Sequence, residues 1–173
     1  YRVNCLTIPA DHACEITQML VQETERMADI LHLADGVLWI QYRIRDGRPW
    51  IIETGRRCGG NNMLDLLSRG FGTDFGEWVV RLETGLEYKD FVKSPIQVKC
   101  QGYQSLSPEK NGKIKGVHIA DHLKKHIFEE YDWFQEGEEV TDYLYTSKGI
   151  VLFEYDTLEE MKKEIATINE DIR

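Results

Sequence analysis

Between Gly36 and Met63 the chain reads GVLWIQYRIRDGRPWIIETGRRCGGNNM, two apolar runs that carry one carboxylate, Glu53, to the mouth of a loop of arginines and glycines. Leu38, Ile40, Tyr42 and Ile44 alternate with Trp39, Gln41, Arg43 and Arg45, and Asp46-Gly47 turns the chain into Trp50–Thr54. Alternation interrupted by an Asp-Gly pair is the pattern of a β-hairpin. The loop decides which side chains meet: Gln41 and Glu53 share a face only if it holds an odd number of residues, and a two-residue turn separates them. We expect a three-residue loop of Arg45, Asp46 and Gly47, with Gly47 left-handed at a bulge. That register puts Gln41, Glu53 and Trp39 on one face and turns Leu38, Ile40, Tyr42 and Ile52 to the core.

The hairpin needs partners, and 173 residues with 42% hydrophobic side chains suffice for one domain or two small ones. Against 21 basic side chains stand 30 acidic ones, a net charge of -9, which argues against a nucleic-acid partner and confines any anion site to a local cluster. Cys5, Cys14, Cys58 and Cys100 lie far apart without zinc-ligand spacing or a disulfide framework, so a reducing, cytoplasmic setting is expected. No apolar run reaches the roughly 20 residues needed to span a bilayer, so no membrane association is expected. Tyr1–Ile8 reads as a strand without a start methionine, and the chain is expected to be a piece of a longer protein.

Ahead of the hairpin, Ile16, Met19, Leu20, Met27, Ile30 and Leu31 recur at helical spacing, predicting one amphipathic helix over Asp11–Leu33 with Asp11 as its cap. Behind it, Met63–Ser68 reads as a short helix stopped by Gly70. A second helix, capped by Asp74, runs through Phe75, Trp78, Val79 and Leu82 to end near Gly85, both packed on the hairpin. From about residue 95 the pattern changes to strand-like segments at 96–103, 113–119, 127–134, 142–145 and 149–155. A closing helix over Thr157–Ile172 follows, with a Thr157/Glu160 capping box and a stripe of Leu158, Met161, Ile165 and Ile168. We therefore expect an α+β chain of two parts, residues 1–94 and a β-rich cap at 95–173.

Chemistry concentrates around Glu53. A carboxylate at a strand end, followed by Gly55, Arg56 and Arg57, can give hard oxygen to a divalent cation while the arginines and exposed backbone N–H groups receive negative charge. The same spacing suits a structural ion pair of Glu53 with Arg56 or Arg57 equally well. Gln41 has one carbonyl oxygen to offer and gains interest only through the face it shares with Glu53. Small residues at Gly59 and Gly60 let the Arg57 guanidinium and backbone amides approach a ligand closely, although a turn with solvated arginines has the same composition. Cys58 lacks a His or Asn partner and is not expected to be a nucleophile. His118, His122 and His126 recur every four residues, but 113–119 alternates like a strand, so surface histidines are expected rather than one metal-binding helix face.

The order of helix, G-V-L-W-I-Q-Y, hairpin, I-I-E-T-G-R-R-C-G-G-N-N and two short helices resembles the C-terminal part of the ATP-grasp core in biotin carboxylase, carbamoyl-phosphate synthase and amino-acid ligases, over roughly residues 8 to 85. The later lobe, with GKIKGVHIADHLKKH and SKGIVLFEYDTLEEMKKEI, looks like the cap that follows such cores. The resemblance implies that Gln41 and Glu53 ligate Mg²⁺ (or Mn²⁺) of bound ATP and that Arg57 is catalytic, steadying a carboxylate or acyl-phosphate. Glu53, Arg56, Gly59 and Gly60 would contribute to the nucleotide site. The family pattern E-x-N-x-R is met at Glu53 and Arg57, whereas Gly55 stands where an asparagine is usual.

Function follows from the same resemblance: a fragment of an ATP-dependent carboxylate–amine or carboxylate–thiol ligase working through an acyl-phosphate, with ATP and a small carboxylate as partners. The family's phosphate-binding lysines, glycine-rich lid and adenine-gripping acid have no counterpart here, so the fragment alone is expected to be inactive. The other reading is a catalytically degenerate ATP-grasp lobe serving dimerisation, as a homodimer, or partner binding.

Overall fold

A computed structural model describes residues 4–11, 14–91 and 99–173. The chain separates into two compact units, Ala10–Ile96 and a second formed by Tyr1–Pro9 together with Gln97–Arg173. The first strand, β1 (Cys5–Ile8), thus belongs with the later residues, because it pairs antiparallel with a strand beyond residue 99. The two compact units are therefore not contiguous stretches of chain, β1 joining the later one. Tyr1–Val3 lie outside the described residues.

In the unit Ala10–Ile96, helix α1 (Cys14–Ile30) buries Ile16 and half-buries Met19, Leu20 and Met27, the stripe that the spacing predicts. It stops short of Leu33: His32 turns left-handed at φ 50°, and Ile30 and Leu31 remain 62% and 57% exposed. The residues that follow Asp11 at the helix start lie outside the described set. Strands β2 (Trp39–Arg45) and β3 (Arg48–Gly55) form the hairpin.

Its turn differs from expectation. Arg45 pairs with Arg48, so the loop holds only Asp46 and Gly47, both left-handed at φ 52° and 69°. Two positive φ angles make a type I′ turn, whose twist matches that of the flanking strands. The extra residue appears further along, where Gln41 opposes Glu53 while Tyr42 opposes Ile51, leaving Ile52 unpaired in a bulge. One inserted residue restores the parity that the shorter turn removes. Gln41 and Glu53 therefore share a face for a different reason than the one expected, and Ile52, placed at the core by the three-residue loop, is instead 55% exposed.

Helix α2 (Met63–Phe71) runs through Gly70, which is buried inside it, and terminates at Gly72, φ 64°, whose N–H donates to the Ser68 carbonyl. Gly70, expected to stop this helix, is instead a buried interior position of it, and the left-handed Gly72 ends it. Helix α3 (Phe75–Thr84) follows the predicted chemistry, with the Asp74 carboxylate accepting from the Glu77 N–H at 2.8 Å and Gly85 as a left-handed C-cap. α2 and α3 meet in an edge-on contact of Phe71 with Phe75, and Phe75 is in turn edge-on to Trp78 one turn along α3.

The second unit is an antiparallel sheet in the order β1, β4 (Cys100–Leu106), β8 (Gly149–Tyr155), β6 (Ile127–Asp132). Only a two-residue ribbon of β5 (Gly112–Lys113) with β7 (Glu139–Val140) stands where a strand over 113–119 was expected. Glycines at 112 and 116 with φ of 147° and 145° end the extended run. No strand forms at 142–145, where the Asp142 carbonyl accepts the Tyr145 N–H and the Thr146 hydroxyl and so curls the chain into a turn.

Helix α4 (Asp121–Lys124) precedes β6. The closing helix is broken into α5 (Leu158–Ile165) and α6 (Ile168–Asp171); Thr157 caps α5 by accepting the Glu160 N–H at 3.2 Å. Leu106, Leu123, Val151, Phe153, Tyr155, Met161, Ile168 and Ile172 form the core, with Leu158 and Ile165 packed against it. Gly102 lies where a Cβ would sit 2.2 Å from the Leu6 carbonyl oxygen and 2.6 Å from the Phe153 ring, so β4 admits nothing larger there.

Candidate functional site

The bulged hairpin presents the predicted residues in register. Gln41 and Glu53 are directly opposed, and one step along the same face Trp39 opposes Gly55. Side chains directly across an antiparallel pair have Cβ atoms about 4.5–5.5 Å apart, within reach of one cation. Both offer oxygen, the donor that hard divalent ions prefer. Glu53 is exposed, and no hydrogen bond or ion pair engages its carboxylate among the described residues.

The structural ion pair that the spacing also allowed is not made, because both arginines are turned elsewhere. Arg56 Nη2 donates to the carbonyls of Ala34 and Asp35 at 3.0 and 3.2 Å and so ties the strand end to the loop before β2. Its fork lies over Gly36, where a Cβ would come within 1.9 Å of Nη2. Asp35 also accepts from the Tyr88 hydroxyl, and this hydrogen bond first, then burial and the aspartate's charge, raises the phenol above its ordinary range. Arg57 places its guanidinium carbon 4.9 Å above the Trp39 ring, and its Nη1 donates to the Cys58 carbonyl at 2.9 Å. Stacking on an aromatic face fixes the plane of the guanidinium while leaving other N–H groups for an anion.

Gly55 sits beneath that stack. A Cβ there would meet Arg57 Cγ at 3.6 Å, Arg57 Nε at 3.8 Å and Trp39 Cε3 at 3.9 Å, all ordinary contacts. Beyond the arginines, a Cβ on Gly60 would meet nothing within 4 Å and one on Gly59 only Met63 at 3.4–3.5 Å. The loop closes through Asn61 and Asn62, both at φ 55°, into the first turn of α2, where the Asn62 side chain makes no cap hydrogen bond. Trp39 is the residue that sequence reading placed on the right face without giving it a role; the signal for it was an aromatic two positions before Gln41 with an arginine downstream.

The histidines do not assemble as a triad. His118 lies on an extended segment bonded to Arg173, His122 is on α4, and His126 follows that helix, near Glu160 and Glu164 of α5. Among the described residues no helix is long and apolar enough to cross a membrane.

No protein-family model and no curated protein sequence matches the chain. Solved structures do resemble it: its structural neighbours are ATP-grasp proteins, and the chain has the mixed α+β fold of their C-terminal part. They include an L-amino acid ligase from Bacillus licheniformis (TM-score 0.85, 18% identity, 100% of this chain and 44% of that one). A phosphoribosylglycinamide synthetase from Anaerococcus prevotii gives a TM-score of 0.77 at 19% identity, covering 98% of this chain and 44% of that one. A biotin carboxylase from Campylobacter jejuni, solved as a complex with β,γ-ATP, gives 0.66 at 11% identity, covering 98% and 39%. The chain thus spans less than half the length of these structures.

Proposed function

We propose that this chain is the C-terminal portion of an ATP-dependent carboxylate–amine or carboxylate–thiol ligase, with the hairpin of Ala10–Ile96 supplying half of its MgATP site. The observation that carries the reading is the direct opposition of Gln41 and Glu53 across the bulge, with Glu53 free of any described partner. Two oxygen donors on one exposed face fit a hard divalent cation, and Gln41 and Glu53 are the residues that would hold it. Bound there, Mg²⁺ supplies charge neutralisation at phosphoryl oxygens.

Arg57, held flat by Trp39, is oriented to receive a carboxylate or a transferring phosphoryl group, and Arg56 serves by fixing the loop over Gly36. In the proposed reaction a substrate carboxylate oxygen attacks the γ-phosphorus of ATP, the bond to the β,γ-bridging oxygen breaks, and ADP leaves. An amine or thiol then attacks the acyl carbon and phosphate departs, with Arg57 offsetting the negative charge on the oxygens at both stages. We place the protein in the cytoplasm, without a nucleic-acid partner.

The second reading, a degenerate lobe serving as a homodimer or partner interface, is favoured by Gly55 and by the apolar β3 surface, where Trp50 is 60% and Ile52 55% exposed. Calorimetric titration of the longer protein with ATP and Mg²⁺ separates the two. Binding that is lost in Glu53→Gln and weakened in Gln41→Ala supports the ligase; no nucleotide binding at any Mg²⁺ concentration sinks it.

A further inference from the structure

Away from the hairpin, in the unit built around β8, three side chains from two parts of the chain converge. His126 Nε2 lies 3.3 Å from Glu164 Oε2 and 3.5 Å from Glu160 Oε1, and the ligand atoms of the three residues all fall within 4.8 Å of one another. Glu160 and Glu164 are one turn apart on α5, so their carboxylates rise from the same face. We propose that His126, Glu160 and Glu164 form a binding site for a single Zn²⁺-type divalent cation.

Three observations carry it. First, Nδ1 of His126 lies 3.1 Å from the Glu154 carbonyl, which can only accept, so Nδ1 carries a proton and Nε2 is the nitrogen left to face the cluster. Among the described residues this nitrogen is buried without a hydrogen-bond partner, on a side chain only 11% exposed, and it faces two carboxylates. A ring nitrogen set against two carboxylates calls for positive charge between them, which a bound cation supplies when the ring is neutral.

Second, the spacing fits. The Nε2–O distances of 3.3 and 3.5 Å exceed a normal N–H···O hydrogen bond of about 2.9–3.0 Å. Ligands roughly 2.0–2.1 Å from a tetrahedral Zn²⁺ are separated by about 3.3–3.4 Å. The imidazole nitrogen selects a borderline ion of the Zn²⁺ kind over Mg²⁺ or Ca²⁺, which take oxygen.

Third, the surrounding contacts are those that orient metal ligands. The Nδ1–H to Glu154 contact steadies the imidazole, and the Tyr155 hydroxyl donates to Glu164 Oε2 at 3.3 Å. The His126 ring stacks on Tyr155 at 3.9 Å, and the Glu154 N–H, donating to the His126 carbonyl at 2.8 Å, fixes the backbone that carries it. Lys125 Nζ stands 3.6 Å from Glu160 Oε1 and 3.7 Å from Glu164 Oε1 on a side chain 60% exposed, a loose counter-charge that a cation displaces into solvent.

The test is titration of the full chain with Zn²⁺ and, separately, Co²⁺. The expected result is one ion per chain with a Co²⁺ spectrum free of thiolate charge transfer, since the four cysteines are not ligands. Glu164→Gln and His126→Gln, checked for folding by circular dichroism, should each weaken binding by more than the 10- to 100-fold typical of losing a supporting group, and Tyr155→Phe by about that amount. Lys125→Ala should tighten binding, a gain that no misfolded variant reproduces. Absence of uptake, uptake unchanged in Glu164→Gln and His126→Gln, a thiolate band, or weaker binding in Lys125→Ala would each overturn the site.

Discussion

β3 and β8 are nearly the same strand on paper and opposite strands in the molecule. One reads W-I-I-E-T and the other L-F-E-Y preceded by G-I-V, apolar runs closed by a glutamate. In β8 every residue but Glu154 is buried, whereas in β3 every residue but Pro49 and Gly55 is exposed. The difference lies in the neighbours. β8 is flanked on both edges by β4 and β6 and abutted by α5, while among the described residues β3 has one partner, β2, and the flank of α1. Two terminal glutamates thus acquire different duties: Glu154 uses its backbone to anchor His126, and Glu53 keeps an unengaged carboxylate opposite Gln41.

The largest expected effect tests that contrast directly. Leu152, fully buried in β8, truncated to alanine should cost about 2–5 kcal/mol through lost transfer energy and the cavity left behind. Ile52→Ala, at the exposed bulge of β3, should change stability by no more than about 0.5 kcal/mol. Urea unfolding of both variants of the 173-residue chain decides it, and equal losses would show that the hairpin is packed as tightly as the sheet.

The same contrast explains what could be read in advance. Capping chemistry was legible because it is local: Asp74 caps α3, Gly85 ends it and Thr157 starts α5 as their spacing dictates. The family likeness was legible through the hairpin and the R-x-G-G loop. The bulge at Ile52 was not, because nothing in W-I-I-E marks which isoleucine loses its partner. An Asp-Gly pair fits a two-residue type I′ turn as well as a longer loop, and only the strand register separates them. The His126 cluster was hidden for another reason. Its carboxylates lie more than thirty residues downstream on a helix whose charged run reads as a solvated face, and no local period links them to a histidine. The pairing of β1 with β4 was likewise invisible, since long-range pairing leaves no local pattern.

A smaller effect sharpens the contrast through the thiols. Burial pushes Cys5 from 9.0 to about 11 and raises Cys100, both of them packed against the sheet core, while Cys14 is exposed on α1. A thiol raised in the folded state favours folding fully below its ordinary value and loses that contribution as pH climbs through the folded one. For Cys5 the loss falls between about pH 9 and about pH 11. At pH 8, then, Cys14 should react with a disulfide reagent well ahead of Cys5, and the gap should narrow as pH is raised through that window. Equal rates at pH 8 would mean that β1 does not cover its cysteine.

The smallest expected change in stability is the one that says most about the hairpin. At Gly102 a Cβ collides with backbone at 2.2 Å, so glycine is required there by space. At Gly55 a Cβ meets Arg57 and Trp39 only at 3.6–3.9 Å, and the residue lies in extended backbone at the end of β3 with no positive φ to hold it to glycine. Gly55→Asn should therefore fold with a stability change within about 0.5 kcal/mol. The new amide, one step along the face from Glu53 and against the stacked Arg57, would add an oxygen to the Gln41–Glu53 pair. On the ligase proposal, the full-length protein carrying this variant should bind ATP with Mg²⁺ at least as tightly as the parent. If it unfolds the hairpin, the space beneath Arg57 is not free. If it folds and weakens nucleotide binding, the missing side chain at Gly55 is a feature of the site itself, and the exposed strand is tuned as closely as the buried one.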